Sequence, residues 1–217
     1  MIDDATLDRV IEFHGHLCPG LAMGIRAAEV ALEQIGPHSV DEEVVAIVET
    51  DMCGVDGIQF LTGCTLGKGN LVHRDFGKNA YTFVRRSDGR AIRVSGRPGA
   101  FGPEADPERQ LLGAKIGART ATADERERWL SGHRERSRQV LAAPIDELFD
   151  VQDVAVEPPR MARVFTSVEC SSCREGTMET RIRRLDGADL CPPCFDAAVA
   201  GVASLSVPTR TRPAGGA

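Results

Sequence analysis

Two groups of cysteine and histidine side chains carry the chemistry that can be read along the 217 residues of this chain. Cys170-x-x-Cys173 and Cys191-x-x-Cys194 are paired thiols separated by 17 residues. At that spacing each pair can bend through a tight turn and present two thiolates to one tetrahedral ion. Four thiolates fill the shell of such an ion, so its role is structural: zinc supplies folding energy to a module too small to bury a core. The second group lies upstream. His14, His16 and Cys18 stand two residues apart just before a proline, Cys53 follows a β-branched run, and Cys64 lies among glycines. Imidazole with thiolate is a soft donor set that suits zinc or another transition metal, or a thiolate with a neighbouring acid or base.

Each version names its residues. In the metal version, His14, His16, Cys18, Cys53 and Cys64 are candidate ligands of a core ion, with a coordination position left for substrate or water. In the thiol version, Cys18 or Cys64 attacks or carries a group while His14 or His16 moves protons. Asp56 and Asp75 are candidates to orient an imidazole or act as a base, and Lys68 to hold an anion. A lone cysteine is most often a small buried hydrophobe. That reading weakens here because all three cysteines fall at helix starts or in a glycine loop, where ligand chemistry is usually placed.

The elements that must position these residues follow from local pattern. A first helix is read over Thr6–Phe13. A second begins at Pro19, favoured in a first helical turn, so Cys18 falls at its N-cap, where unpaired N–H groups and the helix dipole favour a thiolate. Leu21, Ile25, Ala28, Leu32 and Ile35 mark one buried face, and Gly36-Pro37 ends the helix. Glu43–Glu49 reads as a strand leading to Cys53 and a short helix over Val55–Leu61. Three glycines in seven residues from Gly63 to Gly69 mark a loop. Strands near Ala80–Arg86 and Arg90–Ser95 flank a hairpin turn at Ser87-Asp88-Gly89. After a loop from Gly96 to Pro103, a helix starts at Asp106-Pro107, and the capping box Thr122-x-x-Glu125 opens another that Pro144 stops. Its arginines, Arg126, Arg128, Arg134, Arg136 and Arg138, read as a solvated face. In the C-terminal module a hairpin is read over Thr177–Arg184 and a turn at Asp186-Gly187.

Composition narrows the partners. Residues 1–150 carry 18 basic against 24 acidic side chains and residues 151–217 carry 8 of each. Neither part is basic enough for a nucleic-acid surface. One Trp and one Tyr make base stacking a poor explanation. No basic stretch with an apolar run opens the chain and no apolar segment reaches the ~18 residues of a membrane span. A cytoplasmic protein is expected, its seven cysteines serving metal or reactive thiols rather than disulfides.

Three motifs resemble the FmdE family, named for a component of formylmethanofuran dehydrogenase. They are Phe13-His14-Gly15-His16-Leu17-Cys18-Pro19-Gly20 with Gly24 and Ala28, then Cys53-Gly54-Val55-Asp56-Gly57-Ile58-Gln59, then Thr62 to Asn70 with Asp75 to Ala80. The four C-terminal cysteines are similar to the zinc finger that many members carry, with Arg174 standing where the finger usually has glycine. The resemblance implies an α+β core, a mixed sheet with packed helices, over residues 1–157, a linker over 158–165, the finger over 166–202 and a flexible tail over 203–217. It also implies a homodimer, a cleft lined by His14, His16, Cys18, Cys53 and Cys64, and a link to molybdenum- or tungsten-dependent one-carbon metabolism. Within that metabolism the expected role is an accessory or stand-alone protein, with a protein partner in a larger oxidoreductase system. If it is an enzyme, its activity is metal- or thiol-dependent. The alternative is a zinc-finger module binding nucleic acid or protein, whose core senses a metal or small ligand.

Overall fold

A computed structural model describes residues 1–100 and 106–201. The end of the Gly96–Pro103 loop and the expected tail over 203–217 lie outside the described residues. The chain falls into two compact units, Met1–Ala162 and Arg163 onward.

The first unit is α+β. It runs through α1 (Asp4–His14), α2 (Pro19–Gln34), β1 (Val44–Val48), α3 (Gly54–Thr62), β2 (Leu71–His73), β3 (Ala80–Arg85), β4 (Ala91–Gly96), α4 (Pro107–Gly117), α5 (Ala123–Ala142), α6 (Ile145–Leu148) and β5 (Phe149–Asp153). The five strands form one mixed sheet in the order β2-β1-β3-β4-β5. β1 and β2 are parallel and the remaining pairs antiparallel. Every residue of β1 is buried. Ala46 and Val48 join the helices in the main core, while Val45 packs with Val84 and Ala91 on the opposite face.

The sequence pattern predicts a single buried stripe on α2. Instead almost every side from Leu21 to Ala31 is buried, because α3, α5 and β4 all pack against it. The small residues of the helix permit this: a Cβ on Gly24 would sit 2.0 Å from the Gly54 carbonyl oxygen, and one on Gly57 would meet the Ile25 nitrogen at 3.0 Å. α2 and α3 therefore touch backbone to backbone, as only glycine allows.

The second unit contains β6 (Ser167–Glu169) paired with β7 (Gly176–Met178), a 3-10 turn (Glu179–Arg181), β8 (Arg183–Leu185) paired with β9 (Ala188–Leu190), and α7 (Pro192–Ala200). The single hairpin expected over Thr177–Arg184 is thus two, and the 3-10 turn divides them. Asp186 (φ 48°) and Gly187 (φ 81°) make the second turn as the sequence indicated.

Candidate metal centres

In the second unit the sulfurs of Cys170, Cys173, Cys191 and Cys194 lie within 4.8 Å of one another. The first pair sits in the β6–β7 turn; the second caps and opens α7. Leu190, Leu185 and Phe195 pack around the thiols and form the unit's small apolar cluster. Burial works to raise the Cys170 thiol, but backbone N–H groups of Cys191, Cys173 and Ser172 outweigh it and hold it at about 6. Burial and the neighbouring thiols push Cys191 up to about 12. Such an unequal split is what crowded thiols show when their negative charge is not offset, and a dication would favour ionisation throughout the set. The donor set fits a metal ion. Arg174 keeps the knuckle turn in the left-handed region at φ 66° and pairs with Glu169 at 2.5 Å.

In the first unit a second set forms where two helices begin. Cys18 is the N-cap of α2, its sulfur accepting from the Leu21 N–H at 3.4 Å, and Cys53 is the N-cap of α3. The Gly24–Gly54 contact holds these two helix starts together, and Gly20 leaves room for Cys53, since a Cβ there would meet the Cys53 Cβ at 3.2 Å. His14, in the last turn of α1, completes the group: ligand atoms of His14, Cys18 and Cys53 lie within 4.8 Å of one another. Asp56, one turn into α3, places a carboxylate oxygen 2.7 Å from His14 Nδ1. That bond keeps the proton on Nδ1 and leaves Nε2, 3.9 Å from the Cys18 sulfur, with a lone pair to donate. Burial pushes the Cys18 thiol up, against the pull of the Leu21 N–H. An unmetallated Cys18 is therefore held mostly as the thiol at neutral pH.

The other expected members are placed differently. His16 stacks on His14 with ring centroids 4.7 Å apart and lines a neighbouring cleft. Cys64 is fully buried, donates to the Val44 carbonyl at 3.4 Å, and is raised by burial. Val44 begins β1 and Cys53 lies beyond its other end, so about 13 Å of strand, at ~3.3 Å per residue, separates Cys64 from the group. Lys68, offered as an anion holder, spends its ammonium on the Ser39 and Val40 carbonyls at 2.9 and 3.2 Å. Asp75 is exposed, and among the described residues only Asp56 of the two acids reaches an imidazole.

Cys18 and Cys53 open on a cleft of about 640 Å³. Its far wall is formed by Trp129, Leu130, His133 and Arg134 of α5, with Arg109 of α4. The sequence pattern assigns Arg134 to a solvated face and leaves Trp129 and His133 without a role. His133 stacks on Trp129 at 3.8 Å and is held below its ordinary value by burial, then by Arg109 and His16. The i, i+4 spacing of Trp129 and His133 was the available signal.

Residues 13–150 match the family model described as "FmdE, Molybdenum formylmethanofuran dehydrogenase operon". The chain belongs to the FmdE family. The crystal structure of an FmdE-like protein of tungsten formylmethanofuran dehydrogenase, from Syntrophus aciditrophicus, has the same fold, with a TM-score of 0.59 and 22% identity over 90% of this chain and 92% of that one. A protein of Archaeoglobus fulgidus described as a probable S-adenosyl-L-methionine-binding protein is 37% identical over 191 residues, 86% of this chain. The chain spans about half of that relative, 51% of its length. With the four-cysteine cluster, this is an FmdE-family protein equipped to bind metal. Among the described residues no helix is long and apolar enough to cross a membrane.

Proposed function

We propose that this FmdE-family protein holds a transition-metal ion, zinc in the first instance, on His14 Nε2 and the thiolates of Cys18 and Cys53, and a second, structural zinc on Cys170, Cys173, Cys191 and Cys194. The observation that carries the core site is the 2.7 Å bond from His14 Nδ1 to Asp56, which aims Nε2 at the two thiols. A carboxylate behind a ligating imidazole is the usual support of such a ligand. An ion with three protein ligands and a free position supplies Lewis acidity toward a bound group. Asp56 fixes the tautomer of His14, and His16, which lines the cleft, is the residue placed to move a proton there. Trp129 and Leu130 shield the thiols from bulk water.

In this reading the protein is an accessory or stand-alone component of molybdenum- or tungsten-dependent one-carbon metabolism, cytoplasmic and homodimeric; the family relation is what supports it. A nucleic-acid role for the finger has less support, since Arg183 and Arg184 are paired with Asp196 and Asp189 at 2.8 and 3.0 Å. The identity with the Archaeoglobus protein favours a second reading, in which the cleft takes S-adenosyl-L-methionine; saturable quenching of Trp129 fluorescence by that compound would support it.

Metal analysis of the full chain tests the leading reading. Two ions per chain are expected, falling to one in Cys53→Ser and to one in Cys194→Ser. A single ion that Cys53→Ser leaves in place would overturn the core site.

A further inference from the structure

The residues that line the cleft are unbalanced in charge. Arg109 and Arg134 reach it and no carboxylate does, in a chain whose formal net charge is −6. Arg134 is engaged with Glu127 at 2.6 Å. Arg109 differs: among the described residues no carboxylate lies within ion-pair distance of its guanidinium, and it is half-buried where the cleft meets a smaller, more polar recess. The acids nearest in sequence are otherwise used, Asp106 capping α4 and Glu108 pairing with Arg128 at 2.8 Å. A guanidinium left in a largely apolar wall is a strong, directional site for a planar anion. Two thiolates already neutralise a divalent core ion, so the cationic field that remains belongs to the arginine.

We propose that the cleft binds a small organic monocarboxylate, its carboxylate on the Arg109 guanidinium and its apolar body along Trp129 and Leu130 toward Cys18 and Cys53. The inference rests on the reading of this cleft as the ligand site of the core ion. It names the ligand's charged group, which that reading leaves open. A carboxylate is favoured over a phosphate ester because one planar fork in an apolar wall matches one planar monoanion, whereas a dianion would call for several unengaged cations.

Trp129 is the single tryptophan of the chain and stands in the wall concerned, so its fluorescence reports occupancy directly. The zinc-loaded full chain would be titrated with octanoate, octanol and octylamine as matched probes. Octanoate should quench saturably and bind about tenfold or more tightly than octanol, as expected for a charge-assisted pair over a neutral contact. Arg109→Gln should bring octanoate to the octanol value without moving octanol, and Arg109→Lys should fall between, retaining charge but losing the fork. Equal binding of octanoate and octanol, or a preference that survives Arg109→Gln, overturns the proposal. Metal content of the same samples separates the two ideas. A protein that carries the ion lost in Cys53→Ser yet shows no carboxylate preference sinks this inference alone. A protein without that ion that still prefers octanoate sinks the metal reading alone.

Discussion

Gly24→Ala sets two physical effects against each other with opposite signs. In a mid-helix position alanine is better than glycine by ~1 kcal/mol, so local propensity predicts a more stable protein. The structure predicts the reverse. The new Cβ would lie 2.0 Å from the Gly54 oxygen and 2.5 Å from its carbonyl carbon and Cα, all backbone atoms that cannot rotate away. Ordinary contact lies near ~3.5 Å, so α2 and α3 must part by about 1.5 Å. Overpacking of that kind costs ~3 kcal/mol at the upper end of its usual range, and the net loss after the propensity gain is ~2 kcal/mol. For a chain of this size that lowers Tm by about 4–8 °C.

The second consequence is at the site. Separating the two helix starts moves Cys18 from Cys53 by a distance several times the ~0.2 Å tolerance of a metal shell. A thermal melt by circular dichroism, with metal analysis on the same preparation, reads both effects. The expected result is a lower Tm with the core ion lost and the finger ion kept. A variant as stable as the parent that carries a full complement of metal would refute the argument that the glycine contact positions the cysteines.

Three further outcomes follow from particular contacts. Asp56→Asn should weaken core metal binding ~10- to 100-fold in competition with a chromophoric chelator, leaving the finger's affinity unchanged; an unaltered core affinity would mean that His14 does not need its carboxylate. Chelation of the finger ion should open the second unit to trypsin at Arg181, Arg183 and Arg184 while the first unit stays resistant, because this small cluster has little apolar area besides its thiols. Asp88 is held down to about 2 from its usual 3.8, first by the Arg85 side chain and then by the Arg90 N–H. Its contribution is thus present above 3.8 and lost as pH falls through about 2. Asp88→Ala should therefore lower the urea midpoint at pH 7 and the gap should close between about pH 4 and about pH 2; a gap independent of pH would assign the effect to the turn backbone instead.

What the sequence disclosed was local. Pro19, the Thr122–Glu125 capping box and the Ser87-Asp88-Gly89 turn act within a few residues of themselves, and the structure places helix starts and a hairpin where they stand. The four-cysteine cluster was equally legible, since a metal shell imposes its own spacing. The missed elements are short or lack periodicity. β2 has three residues and takes its register from the parallel edge of β1. β5 reads Phe-Asp-Val-Gln-Asp and pairs along β4 at the edge of the sheet. The grouping of the upstream cysteines depended on which end of β1 each one occupies, and composition carries no such information. Trp129 and His133 were hidden by the charged residues around them on α5.

The tetrapeptide Cys53-Gly54-Val55-Asp56 shows why the core site could be suspected in sequence yet not assembled from it. In the first turn of α3, Cys53 offers a thiol, Gly54 admits the backbone of α2, and Asp56 reaches His14 on α1. Residues 53 and 56 share a helical face, so the thiol and the carboxylate approach the same imidazole. The glycine between them brings the N-cap of α2, and with it Cys18, to that face. Each residue is ordinary by itself, and its role is set by a different neighbouring helix. A change at any one of the three should thus be felt at the same point, where Nε2 of His14 meets the two sulfurs.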